Sequence, residues 1–391
     1  MSMEKYFQYL RSHEDFFVSI RQDIHQNPEL GFDEKRTSKI VEKLLNEWGY
    51  TVHTGYGDTG LVGVLKRGTG KKRIGIRADM DALPIQEKTN LPYSSSKPNT
   101  MHACGHDGHT AMLLAAAKYL AEKGEFSGTL NLIFQPAEEA LNGAKRMIED
   151  GLFSDHPCDA VFGMHNAPGY RQGTFLFRSG PTLSASDRVT ITLRGVGGHG
   201  AYPHLTKDPV LAAASIIMAL QSIVSRNVSP KEHAVITVGA IHAGEASNVI
   251  PETATLKLSI RTLNPEIRTL IETRIKDLVN MQAHSYGVTA DIEYIHGCPV
   301  LINSKAETDF AQQVATKLVG PADVSETESR YGSEDFAYML EEVPGCYLFI
   351  GNGEGSAHGS CHVHSPHYDF NDKNIIVGGA YWACLAEEYL K

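Results

Sequence analysis

The sequence predicts an α/β protein built from two domains, one of which is inserted into the other. A chain of 391 residues is longer than a single compact core usually supports. Its first part alternates short β-rich runs with helical segments, which is typical of a mixed sheet with helices on its faces. The middle of the chain instead follows the order β-α-β-β-α-β, the pattern of a ferredoxin-like α+β unit.

The first part of the chain supplies the elements of the mixed sheet. Helical spacing extends over residues 4–26 and 35–48, and the second segment ends at Trp48-Gly49, a common way to stop a helix. Strands are predicted at 50–53, 61–65, 73–77, 129–134 and 159–164.

The middle of the chain supplies the inserted unit. Strands are predicted at 187–194, 233–242, 252–261 and 288–295, with helices at 208–225 and 266–284. Helices at 304–318, 333–342 and 373–389 and a strand at 347–350 then complete the first domain. The predicted domains are therefore residues 1–185 with 296–391, interrupted by 186–295.

Composition excludes several kinds of partner and predicts a cytoplasmic protein. The net charge of -10 argues against nucleic acid and anionic membranes as main partners. No apolar run approaches the ~20 residues that span a bilayer, and no basic segment followed by an apolar one opens the chain. The six cysteines lack a framework spacing, so we expect free thiols in a reducing compartment.

Residues 102–109 read HACGHDGH and carry the strongest functional signal in the chain. Three imidazoles, one thiol and one carboxylate fall within this segment, although the whole chain has only 18 histidines. Imidazole and thiolate together suit zinc, and mixed nitrogen, oxygen and sulfur ligands also accept manganese, nickel or iron. The segment leads into an apolar helical stretch, and we interpret it as a metal site rather than as a histidine-rich surface loop.

Polar residues also follow three of the predicted strands. Asp79-Met80-Asp81 follows one strand, Glu138-Glu139 follows another, and His165 follows a third. Ligands of open α/β sheets bind beyond the carboxyl ends of the strands, so we expect these side chains to converge. Side chains of adjacent residues point in different directions. One glutamate can therefore hold a metal ion while the other moves a proton between water and a leaving amine.

Eight ordered segments resemble the co-catalytic metallopeptidases, a family that includes aminoacylase and carboxypeptidase G. Within that family the chain looks like the amidohydrolase branch, which contains hippurate hydrolase and the plant auxin-conjugate hydrolases. The resemblance extends nearly from end to end. The segments are RADMDALP (77–84), MHACGHDGHT (101–110), FQPAEE (134–139), GMHN (163–166), GGHGAYPH (197–204), NVIPE (248–252), GSEDFAYM (332–339) and VHSPHYDFND (363–372).

The resemblance implies a fold and a set of metal ligands. The fold would be a zinc-peptidase-like α/β/α catalytic domain with an inserted lid and dimerisation domain. Two divalent ions per subunit are implied, with manganese, zinc, nickel and cobalt all open. Much of the wider family has a histidine at the position of Asp79 and an aspartate bridge in place of the thiol. The implied ligands are Cys104, which would bridge the two ions as a thiolate, and His106, Glu139, His165 and His364.

The resemblance also implies roles in catalysis and substrate binding. Glu138 matches the catalytic base and acid, and Asp81 matches a carboxylate that orients a ligand. His199 matches a lid histidine that stabilises the oxyanion, in many relatives from the partner subunit. The matching substrate contacts are Asn248, Arg261 and Gly332. A homodimer or homotetramer through the inserted domain is implied as well.

The implied reaction is hydrolysis of N-acyl amino acids, with hippurate (N-benzoylglycine) cleaved to benzoate and glycine. A deacetylase of N-acetyl-diaminopimelate or N-acetylcysteine would use the same catalytic residues. A further alternative makes Cys104 a nucleophile beside a histidine, which predicts activity that survives a chelator. The last is a non-catalytic metal-binding protein, which would have no need of the base at Glu138.

Overall fold

The computed structural model describes residues 3–139 and 142–391. Its helices are α1 (Glu4–Arg11), α2 (Glu14–Gln26), α3 (Lys35–Glu47), α4 (His106–Lys123), α5 (Gly143–Glu149), α6 (Leu152–Asp155), α7 (Pro209–Asn227), α8 (Pro265–Ser285), α9 (Lys305–Val319), α10 (Phe336–Glu342) and α11 (Lys373–Tyr389). Its strands are β1 (Thr51–Tyr56), β2 (Gly60–Arg67), β3 (Arg73–Asp79), β4 (Gly128–Gln135), β5 (Ala160–Pro168), β6 (Phe175–Phe177), β7 (Gly180–Leu183), β8 (Ala185–Arg194), β9 (Gly198–His199), β10 (Ala234–Ala243), β11 (Val249–Ile250), β12 (Thr253–Thr262), β13 (Thr289–His296), β14 (Leu301–Asn303), β15 (Val324–Glu326) and β16 (Gly345–Gly353).

The chain forms two compact units. The first unit comprises Met1–Gly180, Ile302–Glu328 and Glu334–Lys391, and the second comprises Pro181–Leu301 and Ser329–Ser333. Each unit has its own cluster of buried apolar side chains.

The first unit contains an eight-stranded sheet in the order β1-β2-β4-β3-β5-β16-β6-β15. Its four central strands, β4, β3, β5 and β16, run parallel to one another. Helix α4 packs against α11 and α2, and 14 of its 18 residues are buried. The α/β fold class predicted from the alternating pattern is therefore confirmed, and the parallel strands direct their carboxyl ends to one edge of the sheet.

The second unit contains an antiparallel sheet in the order β10-β12-β8-β13. Helix α7 follows β8 and α8 follows β12, so the chain order is β-α-β-β-α-β, as the sequence pattern predicted. Alternate residues of β8, including Ile191, face the buried cluster of this unit. Both helices begin alike, since Asp208 and Asn264 each accept backbone N–H bonds and are each followed by proline.

Helix α7 is the most apolar long helix in the described part of the chain. By length and composition alone it could cross a membrane, with a hydropathy of 1.5 over an 18-residue window. Its buried residues, among them Ile216 and Leu220, belong to the core of the second unit, but only 33% of that window is buried. A substantial apolar part of the helix therefore remains uncovered within one chain.

The predicted and observed elements differ at a few boundaries. The predicted helix over 4–26 is divided into α1 and α2, because side-chain atoms of Ser12 and His13 lie within hydrogen-bond distance of the carbonyl of Tyr9. The helix predicted from 333 begins only at Phe336, since Glu334 and Asp335 make buried side-chain contacts. Helices α5 and α6 and strands β6, β7, β9, β11, β14 and β15 were not predicted, because such short segments carry little readable periodicity.

Candidate metal centre

The carboxyl ends of three parallel strands and the start of α4 bring the polar motifs of the first unit together. Strand β3 ends at Asp79, β4 leads into Glu138, and His165 lies within β5. Gly105 precedes α4 with φ of 88°, and a Cβ at this position would lie 2.3 Å from the hydroxyl oxygen of Tyr368. Only glycine fits this turn, which places Cys104 at the entrance of the helix.

The five predicted ligands form two groups that share one sulfur atom. The Cys104 Sγ lies 3.3 Å from His165 Nε2, and these two atoms group with a nitrogen of His106. The same thiol groups with Glu139 and His364, whose Oε1 and Nε2 are 3.2 Å apart. Within each group the ligand atoms all lie within 4.8 Å of one another. The structure therefore places all five predicted ligands together.

Two of the imidazoles are oriented by hydrogen bonds that leave a nitrogen free. The Nδ1 of His106 lies 3.0 Å from Asp81 Oδ1, and the Nδ1 of His165 lies 2.7 Å from the carbonyl oxygen of Asn166. The His106 Nε2 is buried without a hydrogen-bond partner. A buried polar atom is costly to leave unpaired, and the thiol, imidazoles and carboxylate around it are all metal-ligand types, so the residues present fit a metal site.

Electrostatics around these ligands favour a cation. Burial lowers the pKa of His106, but the carboxylates of Asp79 and Asp81 outweigh it and raise this pKa to about 10. Burial, reinforced by the carboxylates of Glu139 and Glu138, raises the pKa of the Cys104 thiol well above its usual value. A thiolate therefore forms here only when positive charge is supplied, as it is by a bound metal ion.

Glu138 lies beside the ligands but faces a different environment. Its side chain is buried, at 5% exposure, and it groups with the carboxylates of Glu334 and Asp335. Burial and then the charge of Glu334 raise the pKa of Glu138 well above its usual value. Both neighbours accept bonds from Arg77, at 2.8 Å and 3.3 Å, and the charges of both are among the causes that raise the pKa of Glu138.

Asp81 connects the two sides of the centre. Its Oδ1 lies against His106 and its Oδ2 accepts the backbone N–H of Glu139 at 2.9 Å. One carboxylate therefore contacts a predicted ligand in each group, and the orienting role that the resemblance implied for Asp81 stays a prediction. Because Asp81 is buried, no water competes for these bonds.

The supporting role of Asn166 went unrecognised in the sequence. Asn166 donates its backbone N–H to His109 Nε2 at 3.0 Å and its amide to the Cys104 carbonyl at 2.6 Å. The other nitrogen of His109 lies 2.6 Å from Asp79, so His109 has no lone pair left for a metal. The motif GMHN contains Asn166, and that neighbour of His165 was the available signal.

The remaining predicted residues lie in the second unit. His199 is exposed on β9, which pairs with β11 directly after Asn248, and the N–H of Gly200 donates to the Asn248 carbonyl at 2.8 Å. Arg261 on β12 is half-buried and donates to the hydroxyl of Ser333, which follows Gly332 in the chain. Within this unit, the predicted residues therefore form two local pairings: His199 with Asn248, and Arg261 with the segment at Gly332.

Comparisons with known proteins place this geometry in a family. A profile of peptidase family M20/M25/M40 matches residues 75–388. Hippurate hydrolase of Campylobacter jejuni is 48% identical over 96% of this chain and 97% of its own length. N-acetyl-L-cysteine deacetylase of Bacillus subtilis is 38% identical over 92% of this chain and 84% of its own length.

A solved structure agrees with the fold. A dinuclear metal-binding peptidase of the M20 family from Bacillus subtilis superposes with a TM-score of 0.84 at 32% identity, covering 97% of this chain and 99% of that one. That protein binds two metal ions, and this chain has two candidate ligand groups that share Cys104. The chain belongs to peptidase family M20/M25/M40 and is an amidohydrolase of that family.

Proposed function

We propose that this protein hydrolyses the amide bond of N-acyl amino acids, with hippurate as its preferred substrate. The observation that carries this proposal is the pair of ligand groups sharing Cys104, with the buried carboxylate of Glu138 beside them. The similarity to hippurate hydrolase over nearly the whole chain supports the choice of substrate. N-acetylcysteine is the second candidate, because a deacetylase of that compound is also a relative.

Two divalent cations per subunit are proposed at these groups. His106 and His165 would hold one cation, Glu139 and His364 would hold the other, and Cys104 would contact both. Bound cations would polarise the amide carbonyl and make water a stronger nucleophile. Thiolate, imidazole and carboxylate together suit zinc, manganese, nickel and cobalt, so the native metal has to be measured.

Glu138 is proposed as the group that moves the proton. Its raised pKa suits a base that takes a proton from the attacking water and then returns it to the leaving nitrogen. Glu139 is fixed by its N–H bond to Asp81 and can act as a ligand at the same time. In this proposal Glu138 transfers the proton and the adjacent Glu139 binds the metal ion.

The second unit is proposed to bind the other end of the substrate. Among the described residues, no carboxylate lies within ion-pair distance of Arg261, and burial lowers its pKa. A desolvated guanidinium without an anionic partner suits the free carboxylate of an N-acyl amino acid. His199 and Asn248 are proposed to contact the oxyanion and the substrate, and Gly332 to line the substrate site.

The alternative in which Cys104 is the nucleophile has one geometric point in its favour, the 3.3 Å distance to His165. Its electrostatics oppose it, because reactive cysteines lie in electropositive surroundings that lower their pKa. Here burial and carboxylates raise the pKa of the thiol instead.

The test is hydrolysis of hippurate, N-acetylcysteine, N-acetyl-methionine and N-acetyl-diaminopimelate by enzyme loaded with manganese or zinc. We expect hippurate to have the highest kcat/KM and a chelator to abolish every activity. Faster turnover of N-acetylcysteine would make the protein a deacetylase. Activity that resists a chelator but is lost to a thiol reagent would make Cys104 the nucleophile.

A homodimer through the second unit is also proposed. Strand β10 is at the edge of its sheet, and α7 packs against β10 and β12. Met218 and Leu211 on α7 are 73% and 56% exposed, and Ile241 on β10 is also exposed. An apolar helix face beside an open strand edge suits pairing with a second copy of the chain.

Oligomeric state can be measured by light scattering after size exclusion. Met218→Glu should shift the protein toward the monomer, while Met281→Glu, an equally exposed change on α8, serves as the matched control. A monomeric wild type would refute the dimer. A shift toward the monomer that is caused by Met281→Glu and not by Met218→Glu would place the interface at α8 instead.

A cytoplasmic location is proposed from the thiols. Cys104, Cys158, Cys298, Cys346, Cys361 and Cys384 are all free. Free thiols are typical of reducing compartments.

A further inference from the structure

The residue before the proposed base has an unusual backbone conformation. Ala137 is fully buried and has φ of 52°, in the left-handed region that residues with a Cβ rarely occupy. Such a conformation costs about 1 kcal/mol or more and persists only where neighbouring contacts hold it. It turns the chain sharply between the end of β4 and Glu138, so the direction of the Glu138 side chain depends on it.

Two hydrogen bonds hold this turn from opposite sides. The N–H of Ala137 donates to Glu34 Oε1 at 2.8 Å, and the carbonyl of Ala137 accepts the N–H of Gly143 at 3.2 Å. The second oxygen of Glu34 accepts the hydroxyl of Thr59 at 2.6 Å. Glu34 lies 103 residues from Ala137 in the chain, so this contact is purely tertiary.

The free-energy cost of burying the Glu34 carboxylate indicates that its oxygen has a structural role as a hydrogen-bond acceptor. Its side chain is fully buried and its two side-chain hydrogen-bond partners are both neutral groups. A carboxylate without a cationic partner is expensive to bury, whereas an apolar side chain of similar size is not. What Glu34 provides and leucine would not is an acceptor for the N–H of Ala137.

We propose that Glu34 is a positioning residue, which holds Ala137 in its left-handed conformation and thereby aims Glu138 at the reacting water. The inference rests on the proposed function, because it needs Glu138 to be the base. It assigns to Glu34 no contact with substrate or metal.

The test compares two nearly isosteric changes. Glu34→Leu removes the acceptor, while Glu34→Gln keeps an oxygen for Ala137 and an amide that the Thr59 hydroxyl can accept from. With hippurate and saturating metal, Glu34→Leu should lower kcat about 10-fold or more and change KM little, as supporting groups around an active centre typically do. Glu34→Gln should retain most of kcat.

A second background makes the test specific to the turn. Glycine adopts positive φ without penalty. In the Ala137→Gly variant the left-handed conformation should therefore depend less on the hydrogen bond to Glu34. The loss caused by Glu34→Leu should therefore be at least about threefold smaller in the Ala137→Gly background. Should Glu34→Leu fail to fold, Glu34→Ala replaces it in both backgrounds.

Glu29 provides the matched structural control on the same loop. Its carboxylate accepts the N–H groups of Arg36 and Thr37 at the start of α3 and does not contact the turn. Glu29→Ala should lower the Tm but leave kcat and KM as they are. Bound metal per subunit, measured on every variant by elemental analysis, should stay at the wild-type value.

Three results would overturn the inference: equal losses in the two backgrounds, a loss in Glu34→Gln as large as in Glu34→Leu, or full activity in Glu34→Leu. The proposed function fails separately, if Glu138→Gln remains active. A Glu34→Leu variant with normal kcat beside an inactive Glu138→Gln would refute the positioning role alone.

Discussion

At the scale of single residues, the centre depends on different surroundings for two adjacent carboxylates. Glu138 is buried close to the carboxylates of Glu334 and Asp335, and burial and then the charge of Glu334 raise its pKa. Glu139 instead lies beside Cys104 and His364, and its Oε1 is 3.2 Å from His364 Nε2. The left-handed turn at Ala137 comes immediately before this pair. One residue can then serve as base and the other as ligand without competing.

Replacing Glu138 by glutamine tests this division directly. Glutamine keeps the size of the side chain but cannot take up the proton, so kcat should fall by a factor of about 10² to 10⁴. Bound metal per subunit should be unchanged, because Glu139 and the other ligands remain. Glu334→Gln is the comparison, since it removes a neighbouring charge and leaves the base. A Glu138→Gln enzyme with wild-type kcat would exclude Glu138 as the base.

Glu34 gives the metal-free protein a characteristic pH dependence. Burial raises its pKa from 4.5 to about 7, against the lowering effect of the Thr59 hydrogen bond. The folded state therefore favours the protonated form, and the stability linked to that proton is lost as pH rises from about 4.5 through 7. Over this window the free energy of unfolding should fall by roughly 3 kcal/mol relative to Glu34→Gln. Urea denaturation of the wild type and of Glu34→Gln at several pH values in this range measures the difference. The same pH dependence of the free energy of unfolding in both proteins would contradict this prediction.

At the scale of elements, the start of α5 lies very close to the backbone that follows β4. A Cβ on Gly143 would lie 1.7 Å from the carbonyl oxygen of Pro136. This backbone approach also allows the N–H of Gly143 to reach the carbonyl of Ala137. Glycine at this position therefore helps to hold the segment that carries Glu138 and Glu139.

Gly143→Ala should consequently damage both stability and the metal centre. The Pro136 carbonyl belongs to the backbone and cannot yield as a flexible side chain would, so we expect a lower Tm and weaker metal binding. Gly239→Ala is the control, because its nearest neighbour would be 3.9 Å away. Thermal melts and metal titrations distinguish the two variants. Equal behaviour of both would show that the turn tolerates a side chain.

At the scale of the whole molecule, the proposed metal centre would join distant parts of the chain. Cys104 and His364 belong to one ligand group although the sequence separates them widely. The N–H of His364 donates to the carbonyl of Ala103 at 2.7 Å, which joins the two segments even without a cation. Bound metal should therefore stabilise the folded state as a whole.

Removing metal with a chelator should lower the Tm, and adding it back should restore the original value. A ligand that binds only the folded state contributes about 2.7 kcal/mol at 100 times its Kd. In Glu139→Gln, which removes a proposed carboxylate ligand, removing the metal and adding it back should change the Tm much less. A Tm that does not respond to metal in the wild type would argue against a metal centre.

Much of the fold was predictable because its signals are local. The βαββαβ order of the second unit follows from periodicity, and strands 73–77 and 129–134 were placed within two residues of β3 and β4. The HACGHDGH segment identified the metal-ligand types, since donor chemistry depends only on the residues present. The roles of Glu138, Asp81 and the five proposed ligands stay predictions, as do those of His199, Asn248, Arg261 and Gly332.

The sequence by itself determined the class of fold, the longer helices and strands, and the kind of chemistry, because periodicity and ligand types are properties of short segments. Only the tertiary structure decided that Asp81 contacts both His106 and the backbone of Glu139 and that both nitrogens of His109 are occupied. It alone joins Glu34 to Ala137. These contacts depend on how strands and loops far apart in sequence pack together, and no local pattern records that distance.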